Sequence, residues 1–224
     1  MCGRINVSDH AGIQRLLEWL QIPLFPKAFQ PRFNITPGAS ILTVLDHENA
    51  PEFCTMEWGL VPPWAKPNQF ARPLINARAE TIWEKPSFRN LISQKRTIIP
   101  VNGFYEWKRN GDKKSAYHIH APDDKGLALG GIYQINKDGV MQCSVVTTAA
   151  NHAMAEIHDR MPVLLTPDSA DDWLHNNNKQ RLDEIMQPPT DKLIKLTPVS
   201  PYVNNAQHEG PRCIEPEKQQ EDLF

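Results

Sequence analysis

Cys2 directly follows the initiator Met1, and Gly3 and Arg4 come next. Removing Met1 would leave a thiol and a primary amine on adjacent carbons of one residue. An α-amine titrates near 7.7–8.0, so roughly 10–20% of it is unprotonated at pH 7, several hundredfold more than an ordinary lysine. Its natural electrophile at neutral pH is an aldehyde, which gives an imine. The neighbouring thiol can then close a five-membered thiazolidine ring, helped by effective molarities on the order of 10⁵ M or more. A cysteine at position 2 is otherwise an accident, so the case depends on what other residues join it.

Three further stretches carry suitable groups. In PLINARAET, Asn76 and Arg78 stand two apart, and an extended backbone turns both to one face. Arginine suits bidentate phosphate contact. In VNGFYEWK, Glu106 lies between Tyr105 and Trp107. A carboxyl taken out of water by such neighbours holds its proton more readily and can shuttle it. In AEIHDRMPVLL, His158 and Arg160 precede an apolar strand, a place where a scaffold holds loop residues. They read as a general acid and a phosphate contact, and Thr147 in VVTTAAN offers a hydroxyl to the same site. Each piece also has a plainer reading: a turn Asn, a surface Arg, an outward-facing Glu, a capping His.

Elements must gather these groups. A strand over 3–7 and an Asp9-capped helix to about Leu20 open the chain, with Ile13, Leu16, Leu17 and Leu20 on one buried face. Strands are expected at 41–46 and 51–59, and helical spacing returns in LINARAETIWEKPSFRNLIS. The runs 96–109 and 115–121 flank Asn110-Gly111, a hairpin signal, and LALGGIYQI and VMQCSVVTT form a second hairpin across 136–139. Helices are expected from Thr166 to Leu174 and over 178–186, and a last strand over 192–200. The fold class is α+β, a single domain dominated by antiparallel β-strands with a few peripheral helices. The domain is expected over 1–214, with a mobile acidic tail over 215–224.

Composition sets limits. The 224 residues carry 24 Lys and Arg against 26 Asp and Glu, a formal net charge of −2, so no overall basic field attracts a polyanion. No window holds eighteen apolar residues and the N-terminus has no signal-peptide pattern, which points to a cytoplasmic protein without a membrane span. The four cysteines, at 2, 54, 143 and 213, form no C-x-x-C, so neither metal nor other cofactor is expected. Cys143, inside a strand, reads as a buried thiol.

The ordered set MCGR, RFNITPG, EWGLVPPW, PLINARAET, GFYEWK, VVTTAAN and IHDRMPVLL resembles the SOS-response-associated peptidase (SRAP) family of abasic-site processing proteins. The resemblance implies a barrel-like β-rich fold and a thiazolidine crosslink between Cys2 and the ring-opened aldehyde of an abasic site in single-stranded DNA, shielding the lesion. It also implies lyase activity through the imine and a peptidase-like removal of residues ahead of the cysteine. By match of motif, Cys2 is the nucleophile, Asn76 orients it, Glu106 shuttles protons and His158 helps open the sugar. Arg4, Arg78 and Arg160 would hold phosphates. Relatives often carry a second aromatic after the Trp of GLVPPW; here Ala65 follows, so a DNA wedge would rest on Trp64 and Pro37, with stacking worth roughly 1–3 kcal/mol per base.

The tail Gln220-Glu221-Asp222-Leu223-Phe224 resembles peptides captured by bacterial replication clamps, which would place a monomeric protein at the replication fork. Two rival readings stay open. An N-terminal-Cys hydrolase would need an oxyanion hole. A noncovalent single-strand binder would draw modest, salt-sensitive affinity from so few net cations.

Overall fold

The structure, a computed structural model, describes residues 2–217 apart from 24–28, 49, 66–71 and 112. Strand β1 (Ile5–Val7) leads into helix α1 (His10–Trp19), followed by β2 (Arg32–Ile35), β3 (Ser40–His47), β4 (Ala50–Trp58) and the short β5 (Asn76–Arg78). Helix α2 (Arg89–Gln94) precedes β6 (Arg96–Val101), β7 (Gly103–Asn110), β8 (Lys113–His120), β9 (Leu127–Ile135) and β10 (Met141–Ala149). The one-turn α3 (His152–Ala155), β11 (Arg160–Pro162), β12 (Leu164–Leu165), α4 (Pro167–His175), α5 (Lys179–Ile185) and β13 (Lys195–Val199) complete the order.

Two sheets result. One is antiparallel throughout, in the order β13-β8-β7-β1-β2. The other runs β10-β4-β3-β6-β9 and returns to β10, so five strands close into a ring. Short strands extend it: β12 on β9, and β5 and β11 on β10. Closure leaves those five strands without a long unpaired edge. The main core fills this ring and the space under α1 and α4, with Val44, Trp58, Ile98, Ile99, Val145 and Trp173 fully buried. A smaller cluster of Tyr105, Ala116, Val199, Val203 and Cys213 lies under the C-terminal segment.

Local chemistry explains the element limits. Asp9 accepts from the amides of Ala11 and Gly12, both at 3.0 Å, satisfying two orphan donors at the start of α1. Asn102 welds this corner to the β6–β7 junction: its Oδ1 accepts from the Ser8 and Asp9 amides at 2.7 and 2.9 Å, and its Nδ2 donates to the Asp9 carbonyl at 3.1 Å. That clamp splits RTIIPVNGFYEWKR into two strands belonging to different sheets. Buried Arg96 donates to the carbonyls of Ile92 (2.7 Å) and Asn176 (2.9 Å), placing its charge at the C-terminal ends of α2 and α4, where helix dipoles favour a cation.

The expected hairpins at 110–111 and 136–139, the helix after Thr166 and the helix over 179–185 are present. The helical spacing in 74–93 yields an α-helix only at Arg89–Gln94. Its first part is taken by β5, which gains ladder partners on β10, and Pro86 then disfavours helix at the residue before it. The segment over 215–217 is tied to the body: the Ser200 amide donates to the Glu215 carbonyl and the Glu217 amide to Pro198. The expected clamp-binding residues 220–224 lie outside the described residues. Among the described residues no helix is long and apolar enough to cross a membrane.

One tight contact governs how β7 meets β8. The Asn6 amide nitrogen donates to Ser8 Oγ, so its Oδ1 faces His118 and accepts from His118 Nε2 at 2.9 Å. His118 is buried between Tyr105 and His120, and burial pushes it down to about 3, so the ring is neutral. A Cβ on Gly103 would overlap His118 Nε2 and come within 2.6 Å of the Ile119 carbonyl. Gly103→Ala should therefore destabilise the protein by about 1–3 kcal/mol, as overpacking does. Urea unfolding checks this, and an unchanged midpoint would contradict the contact.

Candidate active site

The pairing of β1 fixes where Cys2 lies. Ile5 opposes Phe104 and Asn6 opposes Gly103, and the Tyr105 amide donates to the Arg4 carbonyl at 2.9 Å. Continuing that antiparallel register sets Gly3 against Glu106 and brings Cys2 just past it. Cys2 has 0% exposure and Glu106 is also buried. From the other sheet, Asn76 Nδ2 donates to the Cys2 carbonyl at 2.9 Å. The site therefore forms where the start of β1 meets β5, at the seam between the two sheets.

Burial raises the Cys2 thiol far above its usual range, and the charge of Glu106 raises it further. The sulfur is accordingly a thiol at neutral pH and must lose its proton to a base as it attacks. Glu106, buried and close enough to act on it electrostatically, can serve as that base. Asn76 Oδ1, on the other side of the same amide, is buried and accepts no hydrogen bond from the described residues.

β10 gathers the remaining groups. Along its second half β5 pairs on one edge, with Val145 against Asn76 and Thr147 against Arg78. On the other edge β11 pairs Ala149 with Arg160. Asn76 and Arg78 alternate with buried Ala77, as an extended segment requires, and Arg78 is exposed. Arg160 is anchored to β10 by donating from Nη2 to the Thr147 carbonyl at 2.7 Å and to Thr147 Oγ1 at 3.3 Å.

His158 lies in the loop between α3 and β11. Its Nδ1 lies 3.0 Å from the Arg160 amide and 2.8 Å from Asp159 Oδ1. These contacts belong to different protonation states: the neutral ring accepts from the amide and carries its proton on Nε2, whereas the protonated ring donates to the carboxylate.

Arg4, Pro37 and Trp64 complete the expected set. Arg4 donates from Nη1 to Asn34 Oδ1 (2.6 Å) and the Val203 carbonyl (3.0 Å), with its guanidinium 5.5 Å from the Trp107 ring centre. It thus ties the first strand to β2 and the C-terminal segment. Pro37 is half-buried in the β2–β3 turn. Trp64 is 60% exposed and borders a hollow of about 380 Å³ with Pro63, Pro86, Leu91, Lys95 and Ile135. Cys143 is buried, with its thiol raised by burial. Among the described residues no group of three or more metal-ligating side chains occurs.

Glu80 escaped the reading of the sequence. It binds Arg160 in a two-pronged ion pair, Nη1 to Oε1 at 2.8 Å and Nη2 to Oε2 at 2.9 Å. Only its place two residues after Arg78 hinted at this.

Three comparisons bear on this arrangement. A family model described as SOS response associated peptidase (SRAP) matches residues 1–206. The abasic site processing protein YoqW of Bacillus subtilis is 35% identical over 96% of this chain and 99% of its own length. The abasic site processing protein YedK of Escherichia coli is 31% identical over 96% of this chain and 100% of its own. The crystal structure of a Bacteroides thetaiotaomicron protein superposes with a TM-score of 0.82 at 23% identity, covering 97% of this chain and 100% of that one, a likeness of fold.

The Asn76–Cys2 contact yields a direct test. Asn76→Ala removes the donor to a buried carbonyl, at a cost of about 1–3 kcal/mol. Amide exchange should quicken at residues 3–5 well before it does in β9 and β10. Uniform protection across all of these strands would mean that the bond does not hold the terminus.

Proposed function

The chain belongs to the SOS response associated peptidase family, and on that premise we propose that it traps abasic sites in single-stranded DNA through Cys2. The observation that carries the proposal is the convergence on one buried residue of Asn76 from one sheet and Glu106 from the other. The names of the similar bacterial proteins, which describe abasic-site processing, support the choice of substrate.

The chemistry follows from the groups present. Once Met1 is removed, the Cys2 nitrogen becomes an amine, on a residue whose carbonyl Asn76 holds. His158 as the protonated ring would give a proton to the ring oxygen and take back the proton of the C1′ hydroxyl as the deoxyribose opens to its aldehyde. The amine adds to the aldehyde carbon, and Glu106 carries the two amine protons in turn to the carbonyl oxygen, which leaves as water, giving the imine. The thiol then adds across the C=N bond: sulfur bonds to carbon, and its proton passes through Glu106 to the nitrogen. A five-membered ring results, with water as the only by-product. The imine is also the branch point to strand cleavage, so lyase output belongs to the same proposal, as does a peptidase-like release of residues ahead of Cys2.

Arg78, Arg160 and Thr147 would hold the phosphates next to the lesion, and Trp64 with Pro37 would meet the bases. A local cluster of cations on a chain of net charge −2 suits a short contact better than a long electrostatic track. Capture of residues 220–224 by a replication clamp completes the proposed partners.

Two variants test the chemistry. Cys2→Ala should form no adduct with abasic single-stranded DNA that survives denaturing electrophoresis, while still binding the strand; a stable adduct from it would overturn the assignment. Glu106→Gln should slow adduct formation by about 10²–10⁴-fold, the usual worth of a positioned proton shuttle, with strand affinity nearly unchanged. Equal losses in rate and affinity would make Glu106 a structural residue.

A further inference from the structure

We infer that Glu80 is an internal competitor for the phosphate that Arg160 would bind, so that it sets how tightly undamaged strand is held. This rests on the reading of Arg160 as a phosphate contact. The guanidinium of Arg160 has its two outer nitrogens committed. Nη1 and Nη2 meet the two oxygens of Glu80, and Nη2 also donates to the Thr147 carbonyl. The geometry is the parallel fork that a phosphate would otherwise occupy. A phosphate reaching this arginine along that edge must first displace the carboxylate.

The arrangement favours exchange over permanent closure. Arg160 is largely buried, its side chain 12% exposed, and its bond to the Thr147 carbonyl keeps it in place when Glu80 leaves. Glu80 is 49% exposed and sits on a single turn of 3-10 helix, Ala79–Thr81, immediately after β5. Its carboxyl is held below the usual range first by the hydrogen bond from Arg160, with the charge of Arg78 adding to the effect, so it is ionised while the pair is intact. The anion therefore stands among the groups to which the DNA anion would come. A carboxylate there selects against strand that offers only its backbone, because only a lesion that goes on to react covalently repays the exchange.

The test reads noncovalent binding of a dye-labelled, undamaged thymidine oligonucleotide by anisotropy, in a Cys2→Ala background. Glu80→Gln and Glu80→Ala should each tighten binding by about fivefold at about 50 mM NaCl, with a smaller gain at about 200 mM. Arg160→Ala should weaken binding, and adding Glu80→Gln to it should restore nothing. If Arg160→Ala weakens binding but neither Glu80 variant tightens it, the competitor role is wrong and the phosphate reading stands. If the Glu80 gain is undiminished without Arg160, the effect is general charge removal and the inference is overturned. If Arg160→Ala binds as well as its parent, the phosphate reading fails and the inference falls with it.

Discussion

The register of β1 on β7 is the constraint from which the site follows. Three residues of strand carry it, and Asn102 locks it by gripping both sides of the corner that leads into α1. A slip of one residue would move every side chain of β1 to the opposite face. All three side chains are buried, so apolar Ile5 and polar Asn6 would exchange surroundings, and Cys2 would shift along β7 relative to Glu106. The Asn6–His118 bond and the missing Cβ at Gly103 make such a slip costly from the β8 side as well. Terminal residues are usually the least ordered part of a domain. Here the terminus is the second strand from the edge of a five-stranded sheet, enclosed by β2 and β7.

The second organising feature is β10, which serves as a rack. Its first half closes the ring by pairing with β9 and β4, and its second half exchanges these partners for β11 and β5. That change of partners brings residues 76, 78, 147 and 160, far apart in sequence, to one place. The groups on the rack are polar and largely satisfied by one another, notably through Arg160, Glu80 and Thr147.

Much of this was legible in the sequence where the signal is local. The Asp9 cap, the Asn110-Gly111 hairpin and the alternation of Asn76 and Arg78 depend on neighbours in the chain, and they are present as expected. Signals that depend on distant partners were missed. Strand β2, of four residues, gains its stability from the strands beside it, and the apolar strand expected after Arg160 is divided into β11 and β12, which pair with different neighbours, β10 and β9. The helical spacing around Glu80 lost to pairing with β10. The bonds from Arg4 to Asn34 and the Val203 carbonyl, which join β2 to the C-terminal segment, likewise depend on partners far along the chain.

The complete enclosure of Cys2 bears on how the protein matures. An aminopeptidase needs the first peptide bond extended in its own cleft, and a bond whose second residue has no accessible surface does not meet that need in the folded chain. The strand that covers the terminus, β7, begins at Gly103, so at ~5–20 residues per second the ribosome takes roughly 5–20 s to make it after Cys2 appears. Excision of the initiator thus has a window set by translation, closed by the docking of β1. A chain that folds before trimming would have only the proposed peptidase-like release of its own first residue to free the amine.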